Sequence, residues 1–193
     1  MELKDLEEYA RINNVPIMEK DGIEFLTNYI KENNIKNILE IGAAIGYSAI
    51  RMCLIDEDIK VTTIERDKVR YDEAVKNINE FNLSDRINII FGDALDIEIE
   101  GNYDLIFIDA AKSQSIKFFE KYEKYLNQDG TIITDNINFH GLTFSNEAAP
   151  TRNLRQMIRK IRNYLKWLEE NKYYKTEYKN IGDGLTISKR VNN

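Results

Sequence analysis

Five short, almost continuously apolar runs, separated by segments of helical character, leave this chain few folds to choose from. They read "NILEIG" (37–42), "KVTTIE" (60–65), "INIIFG" (87–92), "YDLIFID" (103–109) and "GTIITD" (130–135). A strand that is apolar on both sides needs cover on both sides, which is the habit of parallel sheets wound with helices. The intervening segments fit that pattern. Helices are expected at 47–55, 67–81 and 113–126, the second opening on Asp67, where the helix dipole favours an acid. Two further helices, at about 2–13 and 19–33, precede the first strand, and another runs from 151 to 170 after an irregular loop, 136–150. The chain closes with "YYKTEYKN" and "GLTISKR" around a short turn containing Gly182 and Gly184. Strands joined so tightly must pair antiparallel. The expected fold is α/β: a doubly wound, mostly parallel seven-stranded sheet with an antiparallel edge hairpin.

The length, 193 residues, suits a single domain with a substantial core, and no internal repeat or linker divides it. Within 1–193, the helices of 1–35 and the loop and basic helix of 136–170 stand as subregions. Cys53 is the only cysteine, so no disulfide can form within the chain, which fits a reducing compartment. It is expected to pack inside a helix. The opening "MELKDLEEYA" lacks the apolar core of a signal peptide, and no stretch approaches the roughly 18 apolar residues of a membrane span. A cytoplasmic protein without membrane association is expected.

In doubly wound sheets ligands bind outside the carboxyl ends of the strands. Strand one ends in "LEIGAAIGYS", where Gly42 and Gly46 bracket the turn into a helix. Two glycines alone could mark an ordinary tight turn. Glu65, however, ends strand two 23 residues later (65 − 42), suited to both ribose hydroxyls of a nucleoside. Strand three ends in "FGDAL", bringing Asp93 and Ala94 to the same crevice, suited to an adenine edge. Three such residues at successive strand ends point to a nucleoside-containing cofactor. Strands four and five end on Asp109 and on Asp135 with Asn136. Two carboxylates and an amide are the oxygen ligands that a hard cation such as Mg²⁺ prefers, although Asp109 could instead cap a helix. With His140 as the one histidine and Cys53 elsewhere, zinc is not expected. Lys112 stands beside this cluster, either as a solvated side chain or as a group that helps to deprotonate a substrate hydroxyl.

Together "LEIGAAIGYSAIRM", "TIERD", "FGDA", "FIDAAK" and "ITDN" resemble the motifs of class I adenosylmethionine-dependent, divalent-metal O-methyltransferases of the catechol and caffeoyl-coenzyme A type. The resemblance covers about residues 15–190. Within the family it is nearest to the bacterial tRNA 5-hydroxyuridine methyltransferases, through "VPIMEK", "FIDAAK", "ITDN" and "IGDGL". It implies a Rossmann-like methyltransferase sheet and a homodimer. Val15 to Met18, Gly42 and Ser48 would line the methionine end of S-adenosylmethionine, Glu65 its ribose, and Asp93 and Ala94 its adenine. Asp109, Asp135 and Asn136 would hold Mg²⁺ or another hard divalent cation, with Asp109 also facing the cofactor, and Lys112 would be catalytic. No counterpart is found of the acidic residue that holds the second hydroxyl in catechol enzymes.

The formal net charge of −6 conceals an asymmetry: from Arg152 to Lys166 there are six basic residues and no acidic one, which leaves −12 for the rest. Arg152, Arg155, Arg159, Arg162 and Lys166 fall at spacings of 3, 4, 3 and 4, one stripe on a helix. Leu154, Ile158, Ile161, Leu165 and Leu168 form a second stripe that must face the core. The basic stripe could be a plain solvated face or could contact RNA phosphates. The expected activity is Mg²⁺-dependent methylation of the 5-hydroxyl of 5-hydroxyuridine in tRNA, giving 5-methoxyuridine. Methylation of small catechol-like metabolites is the alternative, and a non-catalytic nucleotide-binding module the alternative of another class.

Overall fold

A computed structural model describes residues 1–145 and 149–191. Two helices, α1 (Leu3–Ile12) and α2 (Lys20–Glu32), lead into β1 (Asn37–Ile41), α3 (Tyr47–Cys53), β2 (Lys60–Glu65), α4 (Lys68–Glu80) and β3 (Ile87–Phe91). Next come β4 (Tyr103–Ile108), α5 (Ser115–Tyr122) and β5 (Leu126–Thr134). The chain ends in α6 (Arg152–Glu170), β6 (Tyr174–Lys179) and β7 (Leu185–Arg190). The strands form one seven-stranded sheet in the order β3-β2-β1-β4-β5-β7-β6. All neighbours are parallel except the pairs β5–β7 and β6–β7. This is the expected doubly wound sheet with an antiparallel edge hairpin.

Alternation along the strands explains why the runs are apolar throughout. Ile38 packs into a core with α2 and α3, whereas its neighbour Leu39 packs into a second core with α5 and α6. Leu105 and Phe107 of β4 likewise face the first core, Ile106 and Ile108 the second. Cys53 is buried in the first core, and burial pushes its thiol up to about 11, so it packs and does not react.

Two boundaries differ from expectation. The helix expected over 113–126 is broken: 3-10 turns at Lys112–Gln114 and Glu123–Tyr125 flank a helix of only eight residues. The last strand of the parallel set begins earlier, at Leu126, because Leu126 pairs with Tyr103 before the register jumps to Leu105 opposite Thr131. The polar residues of that bulge kept it out of the apolar run. The reversal of strand order between β1 and β4 then opens a crevice at the carboxyl ends of the strands.

Candidate active site

A cleft of about 500 Å³ opens there, and each of the five parallel strands contributes its terminal residues: Gly42, Glu65, Asp93, Asp109 and Asp135. Met18, Ser48, Ala94, Lys112 and Asn136 line it as well. The strand-end residues singled out in the sequence are thus brought together. Gly42 has φ +102°, and a Cβ on it would lie 2.2 Å from the carbonyl oxygen of Asp109. The close approach that requires glycine is therefore to the end of β4 itself. Gly46 caps α3 in the left-handed region, φ +83°.

Glu65 is buried, and its two oxygens accept hydrogen bonds from the Ala44 and Asp67 N–H groups, each at 2.8 Å. It ties the end of β2 to the glycine turn after β1. Asp93 accepts from Leu95 N–H at 2.9 Å and faces Arg66 at 3.5 Å. Ser48 donates to Glu40, and Thr63 donates to the other oxygen of Glu40 at 2.5 Å.

Glu40 escaped notice in the sequence, although a charged residue inside "NILEIG" is itself a signal. It is fully buried, and desolvation pushes its carboxyl up to about 7 against the two hydroxyl donors, with the charges of Asp109 and Glu65 adding to the rise. Between 4.5 and 7 the folded protein keeps a proton that the unfolded chain gives up. Stability therefore falls as pH rises through that window, by roughly 3 kcal/mol, and levels off above it. Glu40→Gln removes this loss and keeps the shape. Thermal melts between pH 4.5 and 8 should show the variant gaining on the wild type as pH rises through the window. A difference that does not change with pH would contradict the assignment.

The other end of the cleft is acidic. Asn136 Nδ2 donates to Asp109 Oδ1 at 2.8 Å, and the Asn136 N–H donates to Asp135 Oδ1 at 2.7 Å. Asn136 has φ +63°, a conformation that asparagine tolerates better than most residues. Burial pushes the Asp109 carboxyl up to about 6, against the charge of Lys112 and the Asn136 bond. Asp135 is driven well above the ordinary range, first by burial and then by the charge of Asp109. Asp109 does not cap a helix, since Ala111 precedes the following 3-10 turn. Lys112, the first residue of that turn, holds its Nζ 5.4 Å from the centre of the Phe139 ring. Among the described residues no three His, Cys, Asp or Glu side chains group as a metal site. Two carboxylates with an amide fit a hard cation that prefers oxygen.

The basic stripe of α6 is divided. Arg155 donates to the Ala149 carbonyl at 2.7 Å. Arg162 donates through Nε to the Thr143 carbonyl at 2.7 Å and through Nη2 to that of Ser145 at 2.8 Å. Lys166 lies 3.6 Å from Glu170. Arg152 and Arg159 are exposed. Residues 146–148 of the loop expected over 136–150 lie outside the described residues. Tyr164 and Trp167 pack inward, the tyrosine hydroxyl on Thr134 at 2.7 Å and the indole edge-on to Phe119. No helix among the described residues is long and apolar enough to cross a membrane.

A family model described as O-methyltransferase matches residues 1–191. Caffeoyl-CoA O-methyltransferase of Populus kitakamiensis is 28% identical over 98% of this chain and 86% of its own length. A Staphylococcus aureus crystal structure, described as a candidate caffeoyl-CoA O-methyltransferase, superposes with a TM-score of 0.94 at 41% identity, covering 99% of this chain and 93% of that one. The O-methyltransferase from Bacillus cereus, solved with S-adenosylhomocysteine (SAH), gives 0.83 at 26% identity over 98% and 90%.

Proposed function

The chain belongs to the O-methyltransferase family, and from that premise we propose that it methylates, with help from a divalent cation, a hydroxyl that has a second oxygen beside it. The adenosylmethionine dependence comes with the family and its SAH-bound relative. The cation and the acceptor rest on one observation: Asp109, Asp135, Asn136 and Lys112 converge at the end of the cleft away from Glu65 and Asp93.

S-adenosylmethionine, when bound, supplies a methyl group activated on a sulfonium. A hard divalent cation held by Asp109, Asp135 and Asn136 would lower the pKa of a hydroxyl and fix its orientation. The protein does the rest. Met18, Gly42 and Ser48 bound the methionine end, Glu65 takes the ribose hydroxyls, and Asp93 and Ala94 meet the adenine. Lys112 accepts the hydroxyl proton or offsets the negative charge that its loss leaves. An ion held by these three residues would have room for two neighbouring oxygens of an acceptor.

The acceptor proposed is 5-hydroxyuridine in tRNA, whose 5-hydroxyl and O4 form such a pair, with the exposed Arg152 and Arg159 available to phosphates. A small catechol is the second reading. It is favoured by the commitment of Arg155 and Arg162 to the protein's own carbonyls. Transfer of labelled methyl to tRNA from cells lacking this protein, and to 3,4-dihydroxybenzoate, separates the two. Label at a hydroxylated uridine, lost on chelation and restored by Mg²⁺, is the expected result. Label in the catechol alone would leave the basic stripe a solvated face. Transfer undiminished by chelation would remove the cation.

A further inference from the structure

The segment after Asn136 is held in an expensive conformation. Phe139 and His140 both have positive φ, +46° and +55°, and Gly141 follows at +83°. Only glycine adopts such angles freely, so two consecutive side-chain residues there persist only where their surroundings enforce it. Two groups remote in sequence supply the enforcement.

On one side stands Asp183, 7% exposed, in the turn between β6 and β7. Its Oδ1 accepts the His140 N–H at 2.5 Å, and its carbonyl accepts the Asn138 N–H at 2.7 Å. Next to it, the Gly184 carbonyl accepts the Ile137 N–H at 3.0 Å. The other oxygen, Oδ2, is sealed from solvent without a hydrogen-bond partner among the described residues. A buried carboxylate satisfied on one side only is costly. On the other side stands Arg162, whose guanidinium reaches the Thr143 and Ser145 carbonyls. Phe139 and His140, caught between the two anchors, line the cleft, and the Phe139 ring lies against Lys112.

We infer that Arg162 and Asp183 are positioning residues for the acceptor, clamping residues 137–145 from two sides so that Phe139 and His140 form a fixed wall of the cleft. Neither anchor is among the strand-end residues proposed to hold the cofactor: Arg162 lies outside the cleft lining, and Asp183 lines the cleft beside Phe139 and His140. Arg162 thus acts through its fork geometry, not through its charge. The kinetic part of this inference rests on the methyl-transfer reading above.

The test compares Arg162→Ala, Arg162→Lys and Asp183→Ala with the wild type in the full chain. In Arg162→Ala, amide hydrogen exchange of 137–145 should quicken about tenfold while that of α4 stays unchanged. The lysine variant keeps the charge without the fork and should behave like alanine. Asp183→Ala should quicken exchange at 138–140. SAH affinity by calorimetry should hold in all three. With the acceptor that the wild type methylates, KM should rise about tenfold while kcat changes little. Unchanged exchange, or full rescue by lysine, would overturn the clamp. A wild type that methylates neither tRNA nor 3,4-dihydroxybenzoate would count against the methyl-transfer reading instead. The clamp would then be judged on exchange alone.

Discussion

Gly42→Ala is expected to abolish measurable SAH binding and to lower the melting temperature by about 10 °C or more. The added Cβ would fall 2.2 Å from the Asp109 carbonyl oxygen and 2.9 Å from its carbon. Both obstacles are backbone, so no rotamer change can relieve them. The turn itself is bonded to β2, Gly42 N–H to the Ile64 carbonyl at 3.0 Å, while Asp109 N–H bonds back to Ile41 at 2.9 Å. Relief therefore means prising β1 from β4 at the floor of the cleft. The φ of +102° adds a conformational cost of about 1 kcal/mol or more for any residue with a Cβ. Gly46→Ala is the control. Its Cβ would meet Ala74 Cβ at 3.4 Å, an ordinary contact, and only the φ of +83° is strained. That variant should lose a few degrees and keep SAH affinity within about tenfold. Calorimetry and thermal melts of both proteins decide it. A Gly42→Ala protein that binds and melts like Gly46→Ala would mean that the turn yields where the fold says it cannot.

The strand ends were legible in the sequence for a simple reason. A parallel strand buried on both faces writes an almost continuous apolar run, and the acid or glycine that ends it marks the carboxyl edge. Gly42, Glu65, Asp109 and Asp135 declared themselves in that way, Asp93 did so one residue after Gly92, and they all line the cleft. What depends on side chains meeting across long sequence distances was not legible. The basic stripe of α6 has the right period for a phosphate-binding face, yet Arg162 spends its guanidinium on carbonyls 17 and 19 residues away. Nothing in the spacing distinguishes these uses. Asp183 appeared only within a family motif, because its partner is a main-chain N–H that any residue at position 140 other than proline would supply. Tyr164 lies outside the apolar stripe read in the sequence, yet it is buried with its hydroxyl bonded to Thr134. Local propensity likewise gave no sign of the 3-10 turn at Lys112–Gln114 that stands before α5.

Stability and function should part company at Asp135. Without a cation, this buried carboxylate lies beside a second one, Asp109, and its charged form is disfavoured first by burial and then by that neighbour. Asp135→Asn removes a buried ionisable group whose charged form is disfavoured, while keeping an oxygen to accept the Asn136 N–H that now bonds Oδ1 at 2.7 Å. The cation-free variant should therefore melt a few degrees above the wild type, a gain of about 1–3 kcal/mol. Methyl transfer should fall at least about a hundredfold, because a neutral amide is a poorer ligand for a hard cation and leaves the hydroxyl proton harder to remove. On the proposed reading, added Mg²⁺ should raise the melting temperature of the wild type, as any ligand specific for the folded state does, and should do so much less for the variant. The opposite signs are the point of the experiment. A carboxylate kept for packing or folding would cost stability when removed and leave catalysis nearly intact, so a variant that melts lower and still transfers methyl would take Asp135 out of the active site.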